Sequence, residues 1–270
     1  MIIGNKNFEV NNHTYIMGIL NVTPDSFSDG GNYNHMDKAL FRVEEMIGEG
    51  VDILDVGGES TRPGYEKISE EEEISRVAPV VEKIKQRFDI PISLDTYKSK
   101  VALAGIQAGA DMINDIWGLM YDRNMAKVIA SSGVSCCLMH NRKEAVYENY
   151  FSDVMEDFGR ILSFAKEAGI KEEKIILDPG VGFGKSYENN LEVIRRLEEL
   201  KTWGYPILLG ASRKSVIGLT LNLPVEDRLN GTLAISAYGV VKGCSFLRVH
   251  DIKQNKEVVK MIEALLSSQK

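Results

Sequence analysis

A repeated alternation constrains this chain more than any other feature. Eight short apolar runs read as buried strands, at 15–20, 52–56, 92–94, 111–113, 134–139, 175–177, 206–209 and 246–249. Each is followed by a stretch with helical periodicity, at about 35–49, 70–87, 98–108, 124–131, 151–168, 188–200, 228–241 and 255–266. The runs are apolar on both faces, as parallel strands covered by helices must be. Strict strand–helix alternation allows a doubly wound open sheet or a closed barrel. Eight units in 270 residues favour the second, an α/β (β/α)8 TIM barrel. No linker, low-complexity segment or composition shift interrupts the series, so residues 1–270 are expected to form a single domain. Residues 2–15 read as a short polar N-terminal β-hairpin, and Asn11-Asn12 supplies a turn.

Charge and composition remove several function classes. The net charge of −7 argues against a nonspecific nucleic-acid surface, which needs a basic face. No apolar run reaches membrane-spanning length. Residues 1–20 lack a basic segment followed by a long apolar one. A cytoplasmic protein with no membrane segment is the expectation. Cys136, Cys137 and Cys244 all lie in apolar runs. Their spacing excludes a disulfide framework or a CxxC metal site, which leaves buried free thiols.

A barrel of this kind carries its function at the carboxyl ends of its strands. Those ends read Asn21; Gly57-Gly58-Glu59 with Thr61-Arg62; Asp95; Asn114-Asp115; Met139-His140; Asp178; Ser212-Arg213-Lys214-Ser215; and Arg248 with His250-Asp251. Any one could be a helix cap or a turn residue. A polar or charged group at all eight ends exceeds what a structural barrel needs. Asp95, Asn114 and Asp178 have planar side chains that accept, or donate and accept, in pairs. They suit a flat heterocycle with an amidine-like edge, and would also suit a hard metal ion. Metal-binding carboxylates are usually closer in sequence or joined by histidines, which favours the heterocycle. Arg62, Arg213, Lys214 and Arg248, with His250, come from the second, seventh and eighth units and suggest an anion. The loops 21–34 and 57–69 are lid candidates, and Phe27 is a large apolar side chain that would need a surface to close onto.

The stretch 175–186 invites a phosphate-binding reading and fails it. A P-loop needs a glycine where Pro179 stands, and a dinucleotide loop needs GxGxxG where the chain has Gly180, Gly182 and Gly184 in GxGxG spacing. The working residue is expected to be Asp178. The glycines would turn the chain over the barrel mouth and present Phe183, with Lys185 as a surface charge. The polar loop 141–150 suggests no role.

Several of these segments together resemble one family. The run from Met17 through Asn21-Val22-Thr23-Pro24-Asp25-Ser26-Phe27-Ser28-Asp29-Gly30-Gly31 resembles the opening signature of dihydropteroate synthases. So do Asp55-Val56-Gly57-Gly58-Glu59-Ser60-Thr61-Arg62-Pro63-Gly64, the stretch 178–185, Ser212-Arg213-Lys214-Ser215 and Arg248-Val249-His250-Asp251. The resemblance covers nearly the whole chain from Met17. It implies condensation of (7,8-dihydropterin-6-yl)methyl diphosphate with 4-aminobenzoate to 7,8-dihydropteroate, with loss of diphosphate, and hence a sulfonamide target in folate biosynthesis. It implies that Asp95, Asn114, Met139, Asp178, Lys214 and Arg248 meet the pterin. Asn21, Arg62, Arg248 and His250 would meet the diphosphate, and Asn21 would help hold Mg2+. Phe27, Thr61, Arg62, Pro63, Phe183 and Ser215 would wall the aminobenzoate pocket. Asp95 and Asp29 would stabilise positive charge at the pterin methylene, with Lys214 and Arg248 completing the catalytic set. The resemblance also implies a homodimer through the last helices. Two other readings remain: a pterin-binding barrel without catalysis, and another barrel enzyme, a methyltransferase or a Schiff-base aldolase using Lys214. A Schiff-base lysine normally sits within a strand, and Lys214 follows one.

Overall fold

The computed structural model describes residues 1–23, 32–59 and 67–267. Two short strands, β1 (Ile2–Ile3) and β2 (Lys6–Asn7), pair antiparallel at the start. The parallel strands follow: β3 (Tyr15–Asn21), β4 (Ile53–Gly57), β5 (Ile92–Asp95), β6 (Met112–Asp115), β7 (Ser135–Met139), β8 (Ile175–Asp178), β9 (Leu208–Leu209) and β10 (Phe246–Val249). The helices are α1 (Asn32–Gly48), α2 (Glu70–Arg87), α3 (Ser99–Gln107), α4 (Asn124–Ser132), α5 (Tyr150–Glu167), α6 (Tyr187–Arg195), α7 (Leu197–Leu200), α8 (Ser215–Leu221), α9 (Leu229–Val241) and α10 (Ile252–Ser267).

The sheet runs β8-β7-β6-β5-β4-β3-β10-β9. Its two ends meet through a parallel bridge between Leu177 and Ile207. There the Leu177 N–H donates to the Pro206 carbonyl at 2.9 Å. The eight strand–helix units therefore close into the expected barrel.

Helix ends follow local chemistry. The Ser69 side chain accepts from the Glu72 N–H at the start of α2, whose first turn holds four glutamates and whose last turn holds Lys85 and Arg87. Both charge placements oppose the helix dipole favourably. At α6 a capping box of Ser186 and Asn189 starts the helix directly after the glycine loop.

The lumen explains where a site can form. Residues two apart on a strand share a face. Met17, Ile53, Met112, Cys137, Ile176, Leu208 and Phe246 form one apolar plug with Ile3 and Phe8. Above that plug the inward positions turn polar: Asp55 pairs with Ser93, and Gly57 with Asp95, which pairs with Asn114. The lower lumen thus supplies packing, and the carboxyl ends supply chemistry.

Three local expectations change. The N-terminal β1–β2 hairpin turns at Gly4-Asn5, where Gly4 adopts φ +61, and Asn11-Asn12 makes a second turn in which the Asn12 N–H donates to the Glu9 carbonyl at 3.0 Å. The hairpin is less polar than expected, since Ile3 and Phe8 stop the bottom of the barrel. The seventh unit has an extra helix, α8, and the sixth breaks at Arg196 into α6 and α7. Among the described residues no helix is long and apolar enough to cross a membrane. All three cysteines are free and buried, and burial pushes the Cys244 thiol up to about 12.

Candidate functional site at the barrel mouth

A cavity of about 760 Å3 opens over the strand ends. Asn21, Asp95, Phe183, Lys214, Arg248 and His250 are among its lining residues. Its floor is built by register. Asn21 pairs with Gly57, Gly57 with Asp95 and Asp95 with Asn114, which sets these residues at one level. Gly57 leaves room in that row: a β-carbon there would lie 3.8 Å from both Asn21 Oδ1 and Asp95 Oδ2.

On the opposite wall, Asp178 ends β8. Its Oδ1 accepts the Gly180 N–H at 2.7 Å, which fixes the carboxylate plane. A β-carbon at Gly210 would lie 3.5 Å from Asp178 Oδ2 and 3.8 Å from Lys214 Nζ, so both groups converge on that glycine. The Lys214 ammonium donates to the Val181 carbonyl at 2.5 Å and lies 4.6 Å from the Phe183 ring centre. Burial pulls it down to about 8, against the attraction of Asp178 and Asp95. Burial also raises the carboxyls of Asp178 and Asp95 above their ordinary range, with Lys214 opposing it at the first and Arg248 at the second.

Arg248 reaches into the lumen, where its Nε donates to Asp55 Oδ2 and its Nη2 to Asp95 Oδ2, each at 2.6 Å. Asp55 is a partner that sequence reasoning missed. It is 0% exposed and also accepts from Asn114 Nδ2 at 3.2 Å, while its Oδ1 has no hydrogen-bond partner among the described residues. Asp55 thereby orients both the Asn114 amide and the Arg248 guanidinium. The available signal was an acid inside an apolar strand, two residues before Gly57 and so on the same face.

Other strand-end groups have local duties. Asp115 accepts the N–H groups of Trp117 and Leu119, which makes it a turn residue. Arg213 is held in a fork by Asp251, at 2.9 and 2.8 Å, and is not a free cation of the rim. His250 Nδ1 meets the Ser212 hydroxyl at 3.0 Å. Ser215 opens α8 and lines the cavity. Met139 is 2% exposed and forms an apolar cluster with Tyr97 and Ile116, against which Trp117 and Phe183 pack. Phe27, Asp29, Thr61, Arg62 and Pro63 lie outside the described residues.

Lys185 departs from its expected place on the surface. Its ammonium turns back under the glycine loop to donate to the Phe183 carbonyl at 2.9 Å and to meet His140 Nδ1 at 2.9 Å. Burial lowers it to about 7. His140 Nε2 meets Asp157 Oδ2 at 3.0 Å, and the ring is fully buried. Burial lowers His140 to about 4.

The acid stability of the fold follows from that shift. An unfolded histidine titrates near 6.5, above the folded value, so the unfolded chain takes up the proton first as pH falls. His140 therefore withdraws of order 3 kcal/mol of stability between pH 6.5 and 4. Buried Asp115, raised to about 6, acts in the opposite direction over the same range. The measurement is thus a comparison: the melting temperature should fall more between pH 6.5 and 4 in the unmodified chain than in His140→Gln. Equal falls would contradict a buried neutral imidazole.

Among the described residues no group of three or more His, Cys, Asp or Glu side chains could hold a metal. Asn21 offers one neutral oxygen beside the Asp95 carboxylate. That donor chemistry fits a hard cation that arrives largely coordinated by phosphate oxygens and water.

Comparison with known proteins gives one consistent result. Residues 17–250 match the model of the pterin binding enzyme family. The chain is 58% identical over 267 residues to the dihydropteroate synthase of Clostridium beijerinckii, covering 98% of this chain and 99% of that one. It is 52% identical over 254 residues to the dihydropteroate synthase of Bacillus subtilis, covering 94% and 89%. Among solved structures, a Clostridium difficile dihydropteroate synthase crystallised in the presence of pteroic acid superposes with a TM-score of 0.94 at 49% identity, over 96% and 99% of the two chains. The Yersinia pestis enzyme in a sulfonamide drug complex gives 0.91 at 38% identity, over 99% of each.

Proposed function

The chain belongs to the dihydropteroate synthases of the pterin-binding enzyme family, and from that premise we propose which of its groups carry the reaction. The reaction condenses (7,8-dihydropterin-6-yl)methyl diphosphate with 4-aminobenzoate, giving 7,8-dihydropteroate and diphosphate in folate biosynthesis. The observation that carries the assignment of roles is the convergence of Asp178 Oδ2 and Lys214 Nζ on Gly210, facing the Asp95–Asn114 row.

The pterin lies flat in this slot. Asp178 accepts from its amino edge, Asn114 pairs with a ring nitrogen, and Asp95 takes the remaining ring N–H. Lys214 donates to the carbonyl side, and the Arg248 plane covers one face. Met139 backs the slot through the apolar cluster it shares with Phe183. Asn21 and His250, with Arg62 and the charge of Arg248, receive the diphosphate. Mg2+, held in part by Asn21, would supply further neutralisation of that leaving group when bound.

The methylene C–O bond breaks with its electron pair leaving on diphosphate. Asp95, joined by Asp29 from the first loop, stabilises the positive charge left on the pterin methylene. The aromatic amine then forms the new C–N bond and loses a proton to solvent. Lys214 and Arg248 keep the buried carboxylates compensated throughout, so that the floor does not reorganise. Thr61, Arg62, Pro63, Phe27, Phe183 and Ser215 form the aminobenzoate pocket, with its carboxylate towards Ser215. The whole chain acts as one domain. A cytoplasmic homodimer belongs to the same reading. The exposed Leu219, Leu221, Val241, Met261 and Leu265 on the last helices support that contact surface.

The direct test is a turnover assay. Purified protein with both substrates and Mg2+ should release diphosphate only when 4-aminobenzoate is present. Folded protein that binds pterin without aminobenzoate-dependent release would instead be a binding module. Within that assay, Phe27→Ala should leave pterin diphosphate affinity nearly unchanged and raise KM for 4-aminobenzoate by about tenfold. Equal losses for both substrates would remove Phe27 from the second pocket.

A further inference from the structure

We propose that Lys185 is a positioning residue for the second substrate, locking the glycine loop from behind so that Phe183 and Lys214 are held in register. This rests on the reading that Phe183 walls the aminobenzoate pocket.

The loop has two faces with different duties. Its front carries the Val181 carbonyl that accepts from Lys214, and the Phe183 ring beside the same ammonium. Its back is pressed against the chain that follows β7. A β-carbon at Gly180 would come within 2.0 Å of the His140 carbonyl oxygen, and one at Gly184 within 2.2 Å of the Arg142 carbonyl oxygen. Both glycines also have positive φ, +70 and +53, so the backbone takes this course only without side chains. The loop position is therefore set by what lies behind it.

Lys185 fastens the two layers. Its ammonium donates to the Phe183 carbonyl at 2.9 Å in the loop, and to the His140 carbonyl at 3.3 Å in the buttress. The third bond, to His140 Nδ1 at 2.9 Å, has a defined sense. Asp157 accepts from Nε2, so Nε2 carries the proton and Nδ1 is the acceptor. Arg142 Nε holds the same Asp157 at 2.7 Å, and the Tyr147 hydroxyl donates to the Gly184 carbonyl at 2.6 Å. His140 together with residues 141–147, part of the loop 141–150 that suggests no role in the sequence, is thus the seat of the glycine loop.

A purely structural contact here would not need a charge. An apolar side chain would fill the space without desolvating an ammonium. What the ammonium adds is three directed bonds that fix the carbonyl preceding Gly184, and with it the ring of Phe183. Lys185 does not itself line the cavity.

The experiment is steady-state kinetics in both substrates for the unmodified enzyme, Lys185→Met, Phe183→Ala and the double variant. Lys185→Met should raise KM for 4-aminobenzoate about tenfold and that for the pterin diphosphate less than about twofold. Added to Phe183→Ala, it should change KM for 4-aminobenzoate by less than about twofold more, since both act through one ring. A folded Lys185→Met with unchanged KM, equal rises for both substrates, or full additivity in the double variant would overturn the positioning role. If Phe183→Ala alone raises that KM and Lys185→Met does not, the pocket reading stands and the positioning role falls. If Phe183→Ala has no effect, the pocket reading fails, and the route through Phe183 with it. Should Lys185→Met not fold, Tyr147→Phe removes one bond of the same lock. A rise of about threefold confined to 4-aminobenzoate would support the proposal, and no rise would overturn it.

Discussion

Lys214→Ala should lower kcat/KM by about a thousandfold or more while leaving the barrel folded. The Lys214 ammonium faces a cavity and contributes little to the packed core. It lies at the meeting point of Asp178, the Val181 carbonyl and the Phe183 ring. Removing it deletes the proposed donor to the pterin and leaves two buried carboxylates less compensated. The fold should survive, because the lumen plug below and the helix layer outside do not involve this side chain. Far-ultraviolet circular dichroism and a melting temperature within a few degrees of the unmodified protein check that point. Loss of folding would mean that Lys214 holds the β9 loop and not a substrate. The lowered value of about 8 adds a signature. In the free enzyme the ammonium is charged below about 8 and neutral above it, so kcat/KM should decline as pH rises through that value.

Asp178→Asn is the second large effect, and its cause is direction and not size. Asparagine fills the same space, and its oxygen can still accept the Gly180 N–H now taken by Asp178 Oδ1. The amide nitrogen then stands where Oδ2 faces the slot. On the proposed binding mode a donor then replaces an acceptor opposite the amino edge of the pterin, which would leave two donors in conflict in a buried site. Loss of the charge also removes the main attraction acting on Lys214. The expected result is a fall of about a thousandfold in kcat/KM, with pterin binding weakened in parallel. Calorimetric titration with a pterin separates the outcomes. Binding equal to that of the unmodified chain would show that Asp178 serves the loop alone.

What the sequence made legible follows from topology. Once eight strands are counted, Asp95, Asn114 and Asp178 fall at carboxyl ends by position alone, because a parallel barrel gathers those ends at one mouth. The structure brings them together within the register of β4 to β6 and across the lumen at β8. Asp55 was not legible in the same way. It lies two residues below a strand end, inside an apolar run, and only the inward face shared with Gly57 gives it a role. Lys185, expected as a surface charge, instead bonds beneath the glycine loop. The loop folds back on the segment after β7, and no local pattern encodes a contact between residues 140 and 185. Arg213 was counted as a rim cation, but Asp251 occupies its fork. Charge type is readable from sequence; the partner that neutralises it is set by the packing of two loops.

The central claim is that strand-end carboxylates and Lys214 hold the pterin at the floor of the mouth. The most direct measurement is a crystal structure of this chain with (7,8-dihydropterin-6-yl)methyl diphosphate. The amino edge should lie on Asp178, the ring between Asn114, Asp95 and Lys214, and the diphosphate towards Asn21 and His250. A pterin bound away from Asp178 and Lys214, or a diphosphate seated on the glycine loop, would contradict it.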